Sequence, residues 1–229
     1  MDIGENIMDS IKYPLQDWAK ILILMVISII PIVNFASGGY YLRIIKSTLA
    51  GVDEVPGFDD FGELFIDGIK MIIAYIIYMI VPLIIIFVGA FFLAPAGATT
   101  SYAAATMFTG ISLVVMLIGA IIAFIISIIA VMGIANMAYY DNELGAAFRF
   151  SEIMERISAI GWGSYIIWLI ALVIVIMILG FIIGIIAGIL MFILVGFLVY
   201  FAGIAYLTML QARSTALTFA ASLEGEVVE

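Results

Sequence analysis

Three stretches of this chain, 21–42, 71–140 and 157–212, contain no Asp, Glu, Lys or Arg, so all 17 acidic and 8 basic residues lie outside them. A charge at mid-bilayer costs about 2.5–3.5 kcal/mol on insertion scales, so long uncharged apolar runs read as membrane spans. One helix crosses the hydrocarbon with about 20 apolar residues. The second and third runs are each long enough for two spans, a helical hairpin. The first has room for one span or a shallow hairpin. A hydrophobic fraction of 66% fits this class and not a soluble core with a solvated surface.

Composition also narrows the chemistry. Without Cys there is no disulfide, thiolate ligand or thiol nucleophile, and without His the commonest haem and zinc ligand and general base is missing. A net charge of −9 opposes nucleic-acid binding and electrostatic docking on anionic lipid. The start, MDIGEN, is acidic and lacks the basic region of a cleavable signal peptide, so the first apolar run is expected to remain as an anchor.

A pattern recurs where the chain enters each run. Residues 7–12 read IMDSIK, 65–70 read FIDGIK and 153–158 read IMERIS, each preceded by a Glu: Glu5, Glu63 and Glu152. The exits also rhyme, at Gly39-Tyr40-Tyr41, Ala138-Tyr139-Tyr140 and Ala205-Tyr206. This predicts one all-α membrane domain, 1–216, with an acidic tail at 217–229. Within it lie three repeats, about 1–51, 52–143 and 144–216, each an amphipathic surface helix followed by a transmembrane or re-entrant hairpin.

The leading helices suit the membrane surface. Phe61, Leu64, Phe65, Gly68 and Ile69 share one face and Asp59, Glu63 and Asp67 another; Phe150, Ile153, Met154 and Ile157 oppose Glu152, Glu155 and Arg156. Trp18, Phe61, Phe65, Phe150, Trp162 and Trp168 are the expected interfacial anchors. Three hairpins would place both termini and both charged loops on one side, cytoplasmic by the positive-inside bias. The outer connections would be Pro31–Asn34, Ala94–Thr106 and a tight turn near Gly180–Gly188. From Trp18 to Pro31 a helix rises only ~20 Å, short of the ~30 Å core. So 21–42 is either a hairpin breaking at Pro31–Asn34 or one Pro-kinked span; the second would export Lys12 and Lys20.

Few residues offer chemistry. Asp59, Asp60, Glu63 and Asp67 form the densest acidic cluster, read as a solvated helix start or a docking surface, without the ligand spacing of a calcium loop. Gly180, Gly184, Gly188 and Gly196 form a small-residue ladder, for packing within the last hairpin or for self-association. No ionisable group other than Tyr lies deep in a run, which opposes ion-coupled transport. No catalytic, cofactor or metal residue is assigned.

The segments GGYYLRIIKSTLAGVDEVPGFDDFGELFIDGIK (38–70) and DNELGAAFRFSEIMERISAIGWGSYI (141–166) resemble the domain of unknown function 4013, multi-pass membrane proteins mainly of archaea. The resemblance runs over roughly 10–212, departs at Phe61 where many members carry Trp, and implies a membrane location and archaeal origin but no activity. The expectation is therefore a non-enzymatic cell-membrane protein with lipids as partners, self-associating and structural or lipid-organising. The alternatives are an accessory subunit of a larger membrane complex and a passive conduit for lipids or small solutes.

Overall fold

The computed structural model describes residues 2–193 and 195–225, and among them there is no strand. Nine α-helices follow one another among the described residues: α1 (Ile3–Lys12), α2 (Trp18–Ile29), α3 (Phe35–Leu49), α4 (Phe61–Phe91), α5 (Leu93–Ala98), α6 (Tyr102–Tyr139), α7 (Phe150–Ile160), α8 (Trp162–Leu190) and α9 (Val195–Gly225). Phe61–Ala98, Tyr102–Tyr139, Trp162–Ile193 and Val195–Glu224 are long and apolar enough to cross a bilayer. Four such helices suggest a multi-pass membrane protein.

Local chemistry sets the boundaries. Asp2 caps α1 by accepting the Glu5 N–H at 3.0 Å, and Asp17 caps α2 by accepting from Ala19 at 3.0 Å and Lys20 at 3.4 Å. Pro31 pushes Ile30 into an extended conformation and ends α2. The chain then reverses. Ser28 and Ser37 hydroxyls lie 3.3 Å apart at the tip, and Lys20, at the start of α2, reaches the carbonyl of Val55 beyond the end of α3. Thus 18–49 is an antiparallel hairpin, with each arm too short to cross the hydrocarbon. Gly161, at φ +87°, separates α7 from α8, whereas the expected surface helix at 61–70 is the first part of α4.

The chain divides into two compact units. The smaller, 73–130, pairs α4 antiparallel with α6. A Cβ on Gly89 would lie 2.9 Å from Met116 N, and one on Gly119 would lie 3.1 Å from Ile86 N. The larger unit comprises 2–72 and 131–225. All eight Lys and Arg lie in its part of the sequence, and α9 is its axis, packed by α1, α2, α3, α7 and α8. At the opposite end, α8 and α9 turn at Met191–Ile193, not within Gly180–Gly188. Helical hydrogen bonding carries α8 through those glycines, and the turn falls where Gly196 lets α9 approach the α8 backbone: a Cβ there would sit 2.0 Å from Ala187 O.

Candidate functional site

Polar chemistry gathers where the termini and charged loops meet around the second half of α9. Arg213 is its centre. Its Nε donates to Asp9 Oδ1 of α1 at 2.7 Å, Nη2 to Asp53 Oδ1 at 2.7 Å and Nη1 to Thr48 Oγ1 of α3 at 3.2 Å. The guanidinium also lies 4.9 Å from the Tyr13 ring centre. A buried guanidinium is tolerable only when paired, and its planar fork serves two carboxylates at once. Desolvation of the Tyr13 hydroxyl outweighs the lowering effect of Arg213 and raises its pKa to about 12.

One residue on, Ser214 joins three helices. Its hydroxyl donates to Asn6 Oδ1 at 2.6 Å and accepts from Trp168 Nε1 at 3.0 Å. Asn6 Nδ2 returns bonds to Ser214 O at 3.2 Å and Thr218 Oγ1 at 3.0 Å, and the Tyr41 and Thr215 hydroxyls are 3.1 Å apart. Here α1 presents Asn6 and Ser10 to α9, so its packed face carries polar groups as well as isoleucines. The 213–218 region of α9 is thereby stitched to α1, α3 and α8.

The loop after α3 is held carbonyl by carbonyl. Tyr13 donates to Glu54 O at 3.4 Å, Lys20 to Val55 O, Tyr40 to Pro56 O at 2.9 Å, and Arg43 to Gly57 O at 3.2 Å and Asp59 O at 2.5 Å. Phe58 stacks on Tyr40 with ring centres 4.1 Å apart. A segment without helix or sheet must satisfy its carbonyls elsewhere, and here the donors come from the short helical turn after α1, α2 and α3. These donors fasten the base of the α2–α3 hairpin.

A third group closes the far side. Asp67, buried, pairs with Lys70 at 2.8 Å and accepts from Asn142 Nδ2 at 2.6 Å. Asp141 and Asn142 both have positive φ, 55° and 60°, a conformation Asp and Asn tolerate best after Gly. Lys46 bonds Asp141 at 2.5 Å and holds its carboxyl below the ordinary value. Glu152 accepts from the Tyr140 hydroxyl at 2.8 Å, which raises that phenol's pKa. Beside Lys46 and Asp141 lies a recess of about 250 Å³, also lined by Leu49, Ala50, Ala138 and Tyr139.

The sequence-derived candidates fall unevenly on this frame. Trp18, Phe61, Phe150 and Trp162 are exposed and Phe65 is half-buried, but Trp168 is wholly buried and stacks on Tyr165 at 5.5 Å. Asp59, Asp60 and Glu63 are exposed, whereas Asp67 belongs to the interior. The stripe on α7 divides: Ile153 and Ile157 are buried, Phe150 and Met154 are open, and Arg156 is buried beside Tyr139 and Phe219. Gly196 packs against α8, a Cβ on Gly180 would meet Leu207 at 3.8 Å, and among the described residues nothing lies within 4 Å of a Cβ on Gly184 or Gly188. α9 continues through the start of the expected tail, with Thr218, Phe219 and Ser222 buried, and 226–229 lie outside the described residues.

Sequence reasoning missed the Gly39–Gly68 crossing. A Cβ on Gly39 would lie 1.8 Å from Leu64 O, and one on Gly68 1.7 Å from Phe35 O. Arg213, Asn6 and Ser214 were missed too, although Ser214, Thr218 and Ser222 recur at helical spacing. Among the described residues no three of His, Cys, Asp and Glu gather to hold a metal. The arrangement joins elements; its hydroxyls and carboxylates are engaged in fastening.

Residues 23–188 match the family described as protein of unknown function (DUF4013). The chain belongs to this family. The DUF4013 match takes in the clamped loop and the Asp67–Asn142 contact but leaves α1 and α9, with Asn6, Arg213 and Ser214, outside it. Uncharacterized protein MJ1189 of Methanocaldococcus jannaschii is 31% identical over 151 residues, covering 63% of this chain and 47% of that protein. The chain thus spans about half the length of this curated relative. No solved structure matches it.

Proposed function

We propose that this DUF4013 protein is a non-enzymatic, structural membrane protein that self-associates through α8, with lipids and a second copy of itself as partners. The observation that carries this reading is the openness of Gly184 and Gly188. A glycine in a helix is about 0.8–1.0 kcal/mol less favourable than alanine, and in lipid such positions are typically where another backbone comes close. Packing among the described residues accounts for Gly196 and for Gly203, which meets Ile183, but for neither of these two. Only 6% of the most apolar stretch of α8 is buried, the least of the four candidate spans. The three hairpins fit three repeat units, with both termini and every Lys and Arg toward the cytoplasm.

Native mass spectrometry of the protein in lipid nanodiscs tests this. A whole multiple of the chain mass is expected, falling to the single-chain mass for Gly184→Leu with its thermal stability retained. A single-chain mass for the unaltered protein, or an unchanged multiple in the variant, would remove self-association through this face.

A further inference from the structure

We infer that the recess beside Lys46 and Asp141 seats the headgroup of a zwitterionic phospholipid, its phosphate on Lys46 and its ammonium on Asp141. The inference rests on the membrane reading above but not on self-association, and every residue it uses belongs to the larger unit. Charge sets the depth of the recess. Lys70 is the last charge before the run 71–140, and Asp141 is the first after it. The two ends of the run meet: Asp67 pairs with Lys70 at 2.8 Å and with Asn142 at 2.6 Å, and Lys70 adds to the pull of Lys46 on the Asp141 carboxylate. Hydrocarbon covering the run comes no further than this plane, and headgroups lie against it.

The lining selects the charge type. Leu49 and Tyr139 are the last residues of α3 and α6, so the recess lies between two helix C-termini. Their partial negative charge opposes a lone anion facing Lys46, and the Lys46 ammonium opposes a lone cation facing Asp141. A ligand carrying both charges meets neither objection. Lys46 and Asp141 now bond each other at 2.5 Å with 33% and 89% of their side chains exposed, and an ion pair so open contributes little. A zwitterion entering between them replaces one weak pair by two. Tyr139, 44% exposed, adds an aromatic wall for the ammonium, and Leu49, Ala50 and Ala138 meet the carbons between the charges. A volume of about 250 Å³ equals that of about eight waters, enough for a headgroup and too little for acyl chains. Binding built on open ion pairs is weak, so the site suits a ligand as concentrated as headgroups are at a membrane surface.

Native mass spectrometry of the full chain in nanodiscs of equimolar phosphatidylethanolamine and phosphatidylglycerol tests it. One phosphatidylethanolamine per chain should stay bound in preference to phosphatidylglycerol. Lys46→Ala and Asp141→Asn should each lower its retention by roughly two- to five-fold, the loss of one open ion pair. Ala50→Phe, which fills the recess and leaves the pair, should do the same with thermal stability kept. Equal retention of both lipids, or retention unmoved by the three variants, overturns the inference. If soluble phosphoethanolamine moves the Asp141 carboxyl resonance and the ethanolamine lipid does not, the ligand is a free zwitterion and the lipid source is overturned. Gly184→Leu is measured in parallel. Lipid kept by its single chains leaves the headgroup site standing where self-association fails, and an intact oligomer without the lipid removes only the headgroup site. A chain that does not enter nanodiscs overturns both readings.

Discussion

Replacing Gly39 with alanine puts a methyl group where α3 and α4 cross. The added Cβ would stand 1.8 Å from Leu64 O, and the reciprocal Gly68→Ala 1.7 Å from Phe35 O. Carbon contacts settle near 3.5 Å, so the helices must part by roughly 1.5 Å, because each obstacle is backbone and has no rotamer to change. Overpacking of this kind costs about 1–3 kcal/mol. Parting also weakens the edge-to-face contact of Phe35 with Phe65, now 5.8 Å between centres and worth ~0.5–1.5 kcal/mol. The sum is about 2–4 kcal/mol, or a Tm lower by roughly 5–15 °C for a chain of this size. Thermal unfolding in nanodiscs measures it, with Gly184→Ala as the control at an open position. The double variant should lose less than the sum of the two singles, since one displacement relieves both overlaps. A Gly39→Ala protein no less stable than Gly184→Ala would refute the crossing.

Arg213→Gln should loosen α1 by leaving Asp9 and Asp53 without their cation. Asp53 is open to solvent and Asp9 about half so, and about 1–3 kcal/mol is expected, read as faster hydrogen exchange across 3–12 than across α8. Asn6→Ala removes the acceptor of the Ser214 proton and should cost about 1–3 kcal/mol in chemical unfolding. It should also shift Trp168 emission in a protein whose other two tryptophans are phenylalanine; an unmoved spectrum would contradict the network. The Asp141 carboxyl should titrate below the ordinary aspartate range by NMR, because Lys46 bonds it, and Lys46→Ala should bring it back up. A depressed folded value adds stability above the ordinary range, lost as pH falls through the folded midpoint, so this pair fails only in acid.

Hydrophobicity made the spans legible because lipid imposes a length and a charge-free composition, and the hairpin break at Pro31 was legible because proline has a fixed local effect. Which faces meet was much less so. Gly39 and Gly68 are no different in sequence from Gly184 and Gly188, yet the first two are crossings and the second two are open; only the geometry of the facing helix separates them. Trp168 carries the same amphipathic signal as Trp162, but its indole N–H finds Ser214 46 residues away, and such a partner leaves no local trace. Asp67 looked like one acid on a polar stripe. Its burial depends on Asn142 arriving from 75 residues further along.

Lipid tails are as apolar as leucine, so burial alone does not favour a helix neighbour over a lipid neighbour. Something else must choose the arrangement. In the larger unit that selection is concentrated at one end, where Arg213, Ser214, Asp67 and the donors to loop 54–59 each have specific partners on other helices or loops. Shifting the register of α9 by one residue along α1 would turn Arg213 and Ser214 about 100° away from Asp9 and Asn6, a loss apolar contacts could not offset. The outer half of α8 carries no such fastening, and its open glycines can meet another backbone without disturbing the interior. Rigidity at the charged end and openness along the spans are therefore complementary. The same division explains why Gly39→Ala and Gly184→Leu should behave oppositely, the first altering stability and the second altering assembly.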